Sequence, residues 1–151
     1  MRKVHFVILL MICLGCSTVV IPNYLPDKKP YGMIFYSDYD VTLKAITESL
    51  KALGWSIEQT TNPIIYEQSS MGTEDQKQVL VITEVRQTPM FLGTRYARIN
   101  VFLRSKDNVS NIEIRYLTVT TLPFKILRSY NNNSAVERIF TRIGKYLTDL
   151  T

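Results

Sequence analysis

The sequence predicts an α+β domain in which an antiparallel sheet of about five strands carries two helices on one face, as a two-layer sandwich. The prediction depends on three features of residues 31–151. A helical stripe of apolar residues lies near each end of this range, and segments with strand-like alternation lie between the stripes. The connections between those segments are of hairpin length, which favours antiparallel pairing. Two apolar helix stripes also need an apolar sheet face to cover.

The domain is predicted to open with a strand and a helix. Residues 32–36 are mostly apolar, and Asp38 and Asp40 behind them are good helix N-caps. Gly54 is the expected end of the helix. The buried stripe of this helix is predicted to consist of Leu43, Ile46, Leu50 and Leu53.

Strand-like segments fill the middle of the chain. The Asn62-Pro63 pair indicates a turn between the first two of them, and residues 69–76 form a loop before the third. The alternation is cleanest in the fourth, where Tyr96, Arg98, Asn100 and Phe102 are expected to point away from the helices. The predicted segments are Trp55–Thr60, Ile64–Gln68, Lys77–Arg86, Arg95–Arg104 and Asn111–Thr121.

A second amphipathic helix closes the chain. Ser134 and Glu137 have the spacing of a capping box, which predicts the start of the helix at this point. Arg138, Arg142 and Lys145 share another face, which is typical of a solvated helix surface. The predicted buried stripe contains Val136, Ile139, Phe140, Ile143, Leu147 and Leu150.

The N-terminus has the layout of a secretory signal: Arg2 and Lys3, then an apolar run from residue 4 to 14, then Gly15-Cys16. This segment resembles the lipobox of bacterial lipoproteins, although Cys13 stands where that family usually has Leu. The resemblance implies cleavage between Gly15 and Cys16, with acylation of the Cys16 thiol and of the new N-terminus. An ordinary signal peptide is the alternative. The apolar run is shorter than the roughly 20 residues of a membrane-spanning helix.

Three regions follow from this interpretation: a signal peptide over residues 1–15, a lipidated extended tether over 16–30, and one α+β domain over 31–151. Three prolines in the tether favour an extended chain with a reach of about 40 Å. Residues 19–21 could instead dock as an edge strand. Ser17 follows the lipid site, and in the lipoprotein family a residue other than Asp there implies sorting to the outer membrane. We therefore expect a lipid-anchored outer-membrane protein whose domain faces the periplasm.

Cleavage removes the chemistry on which many enzymes depend. His5 is the only histidine and Cys13 is one of two cysteines, and both leave with the signal. If Cys16 is acylated, the mature chain has neither an imidazole nor a free thiol. Ser-His-Asp and Cys-His catalysis, Cys/His zinc sites and redox pairs are then excluded. We expect a non-enzymatic protein without a metal or another cofactor.

The acidic residues do not suggest an active site. Glu67, Glu84 and Glu113 show no spacing that implies paired acid–base catalysis, and Asp38 and Asp40 are typical of helix caps. Removing two basic residues with the signal leaves 16 basic and 13 acidic residues, so the formal charge falls from +5 to +3. That mild excess suits a surface near anionic lipid or polysaccharide, and no nucleic-acid partner is expected.

Two long connections are unusually apolar and are predicted to lie at one end of the sheet. An up-and-down meander places residues 87–94 and 122–133 together there, and the turn at residues 61–63 is expected to join them. Exposed apolar loops indicate a protein or membrane contact. Alternatively, these segments fold over the sheet edge and complete the core, with Ile126-Leu127 as another short strand. The candidate partner-binding residues are Pro89, Met90, Phe91, Leu92, Phe124, Ile126 and Leu127.

Leu53-Gly54-Trp55 joins the first helix to the next strand. With this join, the order of elements resembles that of the helix-grip domains of small outer-membrane lipoproteins, including the BamC accessory subunit of the barrel-assembly machinery. The resemblance covers about residues 31–150 and implies a helix-grip-like sandwich. Two functions are then possible. The first is an interaction or accessory domain in envelope assembly or maintenance, with an envelope protein as partner. The second is a carrier of a lipid or another hydrophobic ligand, which needs an apolar cavity of about 300 Å³ or more between sheet and helix.

Overall fold

The fold is built on one long β-hairpin. The computed structural model describes residues 19–26, 29–67 and 76–149. Within these residues, a seven-stranded antiparallel sheet is combined with two helices. The strands are β1 (Tyr31–Phe35), β2 (Ile57–Thr61), β3 (Lys77–Thr83), β4 (Arg86–Met90), β5 (Gly93–Lys106), β6 (Val109–Leu122) and β7 (Lys125–Ser129), and the helices are α1 (Tyr39–Ala52) and α2 (Asn133–Thr148).

Strands β5 and β6 pair along their whole length, from Thr94–Thr121 at one end to Lys106–Val109 at the other. Asp107 and Asn108 connect them, and both have positive φ (51° and 60°), as a two-residue type I′ hairpin turn requires. Asp and Asn tolerate this conformation better than most residues. The two strands form the centre of the sheet.

Shorter strands line the two outer sides of this hairpin, two on each side. On the β5 side, β3 pairs with residues 100–105 and β4 with residues 93–97. On the β6 side, β1 pairs with residues 110–114 and β7 with residues 118–122. Strand β2 pairs with the outer edge of β3.

The α+β class and the antiparallel sheet are confirmed, but the sheet has seven strands instead of about five. The predicted strand over residues 77–86 ends at Thr83, and β4 lies almost wholly within residues 87–94, which were predicted as a connection. The predicted strand over residues 64–68 is absent from its described part. Pro63 begins a 3₁₀ turn there, because it lacks an N–H for a sheet ladder and because the Asn62 side chain accepts from the Ile64 N–H. Strand β7 lies within a segment predicted as a connection, where a short strand at Ile126-Leu127 was the alternative.

Both helices pack against one face of the sheet and against each other. Helix α1 begins as predicted, with the Asp38 side chain accepting from the Val41 N–H, and Gly54 follows it with φ of +75°. Helix α2 begins earlier than the capping box predicted, because Asn132 is its N-cap and accepts from Ala135 N–H. The described part of the predicted α2 stripe is confirmed: Val136, Ile139, Phe140 and Ile143 are buried and Leu147 is half-buried. No helix in residues 19–26, 29–67 and 76–149 is long and apolar enough to span a membrane.

The opposite face of the sheet is covered as well. Leu25 is 0% exposed and packs with Leu117 and Val119. Tyr24 packs nearby with Phe102. Residues 19–26, which the sequence places in an extended tether, thus lie against the sheet without forming an edge strand. The described molecule has three layers: helices, sheet and N-terminal segment.

Gly93 provides a test of the pairing at the end of the central hairpin. A Cβ atom there would lie 1.7 Å from the backbone oxygen of Thr121, a distance that cannot be accommodated without moving β5 from β6. We expect Gly93→Ala to lower the free energy of unfolding by about 1–3 kcal/mol, the usual cost of overpacking. Gly32→Ala is the matched control, because nothing lies within 4 Å of the added atom. Urea denaturation of both variants measures the difference, and equal stability would contradict the close approach.

Candidate functional site

Two adjacent turns form one end of the sheet. Residues 90–93 connect β4 to β5, and residues 122–125 connect β6 to β7. The turns are neighbours because Thr94 of β5 pairs with Thr121 of β6. We call the two turns with the first residues of their flanking strands, 89–93 and 122–127, the hairpin end. As the sequence predicted, the two apolar connections meet at one end of the sheet.

Each turn presents a phenylalanine to solvent. Phe91 is 99% exposed and Phe124 is 107% exposed, so neither side chain is covered by the rest of the described protein. Adjacent strands lie about 4.8 Å apart and the turns are centred two strands apart, which puts them roughly 10 Å from each other. Two large apolar side chains therefore project from neighbouring points.

The backbone of the second turn makes the exposure of Phe124 notable. Pro123 precedes it and Phe124 has φ of 66°, the pattern of a type II turn with Pro second and a left-handed residue third. Gly or Asn adopts that conformation with less strain, and positive φ is unusual for a bulky residue. Since no packing of the Phe124 ring offsets the strain, the folded domain gains little from an aromatic residue at this position.

The other candidate residues extend the apolar surface to both sides of the sheet. Side chains of a strand alternate between faces, so Met90 and Leu127 lie on the helix side while Pro89 and Ile126 lie on the opposite side. All seven candidate residues, including Leu92, are exposed. The alternative that these segments complete the core does not fit, because none of them belongs to a buried cluster.

The turn at residues 61–63 does not lie at the hairpin end. The turn at residues 61–63 was predicted to join the two connections, but Thr61 pairs with Leu80, which in turn pairs with Phe102. Along β5, Phe102 is closer to Lys106 than to Gly93. The prediction was wrong because β2 runs away from the hairpin end, from Ile57 to Thr61.

The charge around the hairpin end has one sign. Residues 86–97 and 118–129 contain Arg86, Arg95, Lys125 and Arg128 and no acidic residue. Their net charge is +4, while residues 16–151 as a whole carry +3, so the other residues of that range sum to −1. Arg95, Lys125 and Arg128 are exposed. Arg86 is partly buried, because it donates to the carbonyls of Leu53 and Gly54. The basic excess predicted for the mature chain is concentrated beside the apolar turns.

Buried polar side chains bind residues 19–26, the N-terminal segment, to the sheet face opposite the helices, which we call the second face. Asn100, 0% exposed, accepts from the Leu25 N–H at 2.7 Å and donates to the Asn23 carbonyl at 3.0 Å. Arg98 donates to the side chain of Asn23 and forms a 2.7 Å ion pair with Glu58. The Asn100 amide thus replaces water as the partner of the docked backbone. The polar residues that alternate along β5 were predicted to point away from the helices. They do so, but Arg98 and Asn100 bind the N-terminal segment there.

Arg115 is the centre of a second group of contacts on this face. It pairs with Glu67 at 2.7 Å and with Glu113 at 2.6 Å, and it donates to the Leu25 carbonyl at 3.1 Å. Its guanidinium lies 4.1 Å from the centre of the Phe102 ring, within range of a cation–π interaction. Burial lowers the pKa of Arg115, but the hydrogen bonds to Glu67 and Glu113 outweigh it and leave that pKa above the usual value. The guanidinium therefore holds the N-terminal segment to the sheet as a permanent cation.

The carboxylates that the sequence offered as catalytic candidates have structural contacts. Glu67 and Glu113 both pair with Arg115. Asp38 caps α1, as predicted, and Asp40 lies 3.9 Å from Lys77. Glu84 is exposed after β3, and its N–H bonds to the Ser56 carbonyl. In the described ranges, no group of three or more His, Cys, Asp or Glu side chains is placed to hold a metal ion. Gly15 and Cys16 lie outside the described residues.

No protein-family model matches the chain, and no curated protein matches it significantly. The function of the chain must therefore be inferred from its own residues. Two surfaces stand out: the hairpin end, whose apolar residues were predicted, and the face that binds residues 19–26, which was not. The available signal for the second was the presence of Phe102, Leu117 and Val119 among the outward-facing positions of β5 and β6, because such residues need a cover.

Asn100→Ala tests whether the N-terminal segment is part of the fold. The substitution leaves the Leu25 N–H and the Asn23 carbonyl without their buried partner, which costs about 1–3 kcal/mol. We expect residues 19–26 to exchange amide hydrogens faster and to become accessible to proteases. Asn111→Ala, at an exposed position of β6, is the control and should change neither. Equal exchange in the two variants would show that Asn100 does not hold the segment.

The ionisation of the Tyr24 hydroxyl is expected to make the free energy of unfolding depend on pH in the alkaline range. Burial raises the pKa of Tyr24 above 10, and the hydrogen bond donated to Glu67 raises it further, although Arg115 opposes the change. The unfolded pKa is about 10, so the folded state retains its proton to higher pH. This contribution to stability is complete below pH 10 and is lost as pH rises through the folded pKa.

Urea denaturation at pH 8 and pH 10.5 provides the measurement. The free energy of unfolding should fall less between these two pH values in Tyr24→Phe than in the wild type. Tyr36→Phe is the control, because Tyr36 is 90% exposed, and it should respond as the wild type does. An equal fall in all three proteins would contradict the role of Tyr24.

Proposed function

We propose that the protein is a lipid-anchored interaction domain of the bacterial cell envelope, which acts by binding and not by catalysis. The observation that carries the proposal is the exposure of Phe91 and Phe124 at the hairpin end. Large apolar side chains that contribute nothing to the core mark a contact surface. In this proposal Cys16 carries the lipid after cleavage at Gly15, the domain faces the periplasm from the outer membrane, and it has an accessory role in envelope assembly or maintenance.

The contacts of the acidic residues support binding over catalysis. Glu67 and Glu113, the two most enclosed of the candidate carboxylates, share the Arg115 guanidinium and hold the fold together. A general acid or base must instead be free to reach a substrate proton. The apolar hairpin end has the opposite character: it is open to solvent and has no structural task.

An envelope protein is the partner that the sequence analysis favours for the interaction domain. Edge strand β1 offers such a protein a site apart from the hairpin end, because Met33 and Ile34 are exposed beside an edge that pairs with no other described strand. An extended segment can add to an edge of this kind through main-chain hydrogen bonds. The resemblance to helix-grip lipoprotein domains supports the same class of function.

Photo-crosslinking in cells that export the full chain tests the proposal. A photoreactive aromatic residue in place of Phe124 should form an adduct in the membrane fraction, because that position contacts the partner surface. The same group in place of Lys145, which is exposed on α2, is the control and should form none. In a Cys16→Ser background we expect an uncut precursor and loss of the Phe124-site adduct. Normal maturation of Cys16→Ser would refute the anchoring, and equal adducts at both positions would refute the contact surface.

A further inference from the structure

We propose that the hairpin end inserts into the lipid surface to which the protein is anchored, with Phe91 and Phe124 in the apolar region and the neighbouring basic residues at anionic headgroups. This inference deepens the proposed function and rests on its lipid anchor, since it assigns membrane lipid as the occupant of the hairpin end. Three observations lead to it: the path of the N-terminal segment, the shape of the two turns, and the charge beside them.

The N-terminal segment runs towards the hairpin end when it is followed back from the domain. Leu25 is held at Asn100, and Asn23 is held at Arg98, two residues nearer to Gly93 along β5. Val19 and Ile21 pack, as Tyr96 does, against the cluster of Leu25, Leu117 and Val119, and Val119 pairs with Tyr96, which is nearer to the turns than Arg98. The described chain therefore begins beside the end of the sheet that carries Phe91 and Phe124.

The length of chain before Val19 limits how far the anchor can be from the sheet. Val19 is three positions after Cys16, and an extended chain covers at most about 3.6 Å per residue, or about 11 Å in all. From Tyr96 to the start of β5 at Gly93 is another three residues, about 10 Å of strand. A lipid on Cys16 and the hairpin end can thus reach one membrane surface. The extended tether of about 40 Å predicted from the sequence would not have kept the lipid anchor close to the hairpin end.

The two exposed turns of the hairpin end suit a partner without a fixed shape, such as the hydrocarbon chains of lipids. Phe91 and Phe124 project from two turns and are 99% and 107% exposed, so the described protein covers no side of either ring. Hydrocarbon chains can surround a projecting ring from all sides. Met90 and Leu92, which are half-exposed beside Phe91, widen the apolar tip without enclosing it.

The charge of the flanking strands suits anionic headgroups. Lys125 follows Phe124 directly, Arg128 lies farther up β7, and Arg95 lies on β5, on the other side of β6. Residues 86–97 and 118–129 contain no acidic residue. Basic residues near an anionic membrane surface each favour binding, and the attraction acts over about a Debye length. Apolar turns with basic residues behind them match the order of hydrocarbon and headgroup in a lipid leaflet.

The test uses the mature, acylated protein with Leu92→Cys. Because the thiol of Cys16 is acylated and Cys13 has left with the signal, an environment-sensitive fluorophore would react at position 92 alone, with both phenylalanines in place. The labelled protein is reconstituted in vesicles of phosphatidylcholine and phosphatidylglycerol, seven parts to three. We expect blue-shifted emission and loss of most of the fluorescence when lipids with a doxyl quencher near the headgroup are included.

One control tests the position of the label, and two pairs of variants test the phenylalanines and the charges. The label at Lys106→Cys, at the far end of β5, should keep water-like emission. In the Leu92→Cys background, Phe91→Ser with Phe124→Ser should abolish the quenching, whereas Ile34→Ser with Tyr36→Ser, which removes exposed side chains at the far end, should not. Lys125→Glu with Arg128→Glu should reduce it, and Arg138→Glu with Arg142→Glu on α2 should not.

Several results would overturn the inference, and they differ from failure of the proposed function. Water-like, unquenched emission at position 92 in vesicles would show that the hairpin end does not enter lipid. A defined protein adduct from the photoreactive group at Phe124, without a lipid adduct, would preserve the contact surface but assign it to a protein. Mass spectrometry of the purified protein without acyl groups on Cys16 would refute the anchor itself, independently of the vesicle result.

Discussion

The docking of residues 19–26 on the sheet is the interaction on which the arrangement of the molecule depends. Asn100 and Arg115 are polar residues inside a sheet, and they are tolerated there because they bind the backbone of Leu25 and its neighbours. Without the segment, Asn100 would lose its Leu25 and Asn23 partners, Arg115 would lose the Leu25 carbonyl, and the apolar residues Phe102 and Leu117 would be more open to water. The segment therefore completes the second face of the sheet and also determines where the chain leaves the domain.

The sequence predicted the helix side of the domain well and the other side poorly, for a physical reason. A helix stripe depends on a local period of 3.6 residues, so Leu50 and Ile139 could be assigned to the core from their own surroundings. The cover of the second face depends on contacts between residues about 75 apart, such as Leu25 with Asn100, and no local pattern encodes them. Strand β7 was predicted only as an alternative, at Ile126-Leu127, because all five of its residues are exposed and show no buried face.

The candidate site shows the same division. The up-and-down order of the strands was enough to place residues 87–94 and 122–133 at one end, because antiparallel pairing fixes where alternate connections lie. Whether their apolar residues were buried could not be predicted, since that depends on the length of β5 and β6 beyond the helices. Ala97 and Tyr116 are the last residues of these strands in the helix-side core, and the apolar residues at the turns lie beyond them.

The broken outer strands of the sheet also have a mechanical consequence. On each side of the central hairpin one outer strand ends and another begins, with Glu84 and Val85 between β3 and β4 on one side, and with β1 and β7 meeting along β6 on the other. Only β5 and β6 continue through this junction. Side chains therefore connect the tip, which consists of β4, β7 and the adjoining parts of β5 and β6, to the helix-covered body. Arg86 of β4 donates to the Leu53 and Gly54 carbonyls on one face, and Asn23 accepts from Arg98 on the other. The inclination of the hairpin end relative to the core thus depends on these side-chain contacts as well as on the β5–β6 ladder.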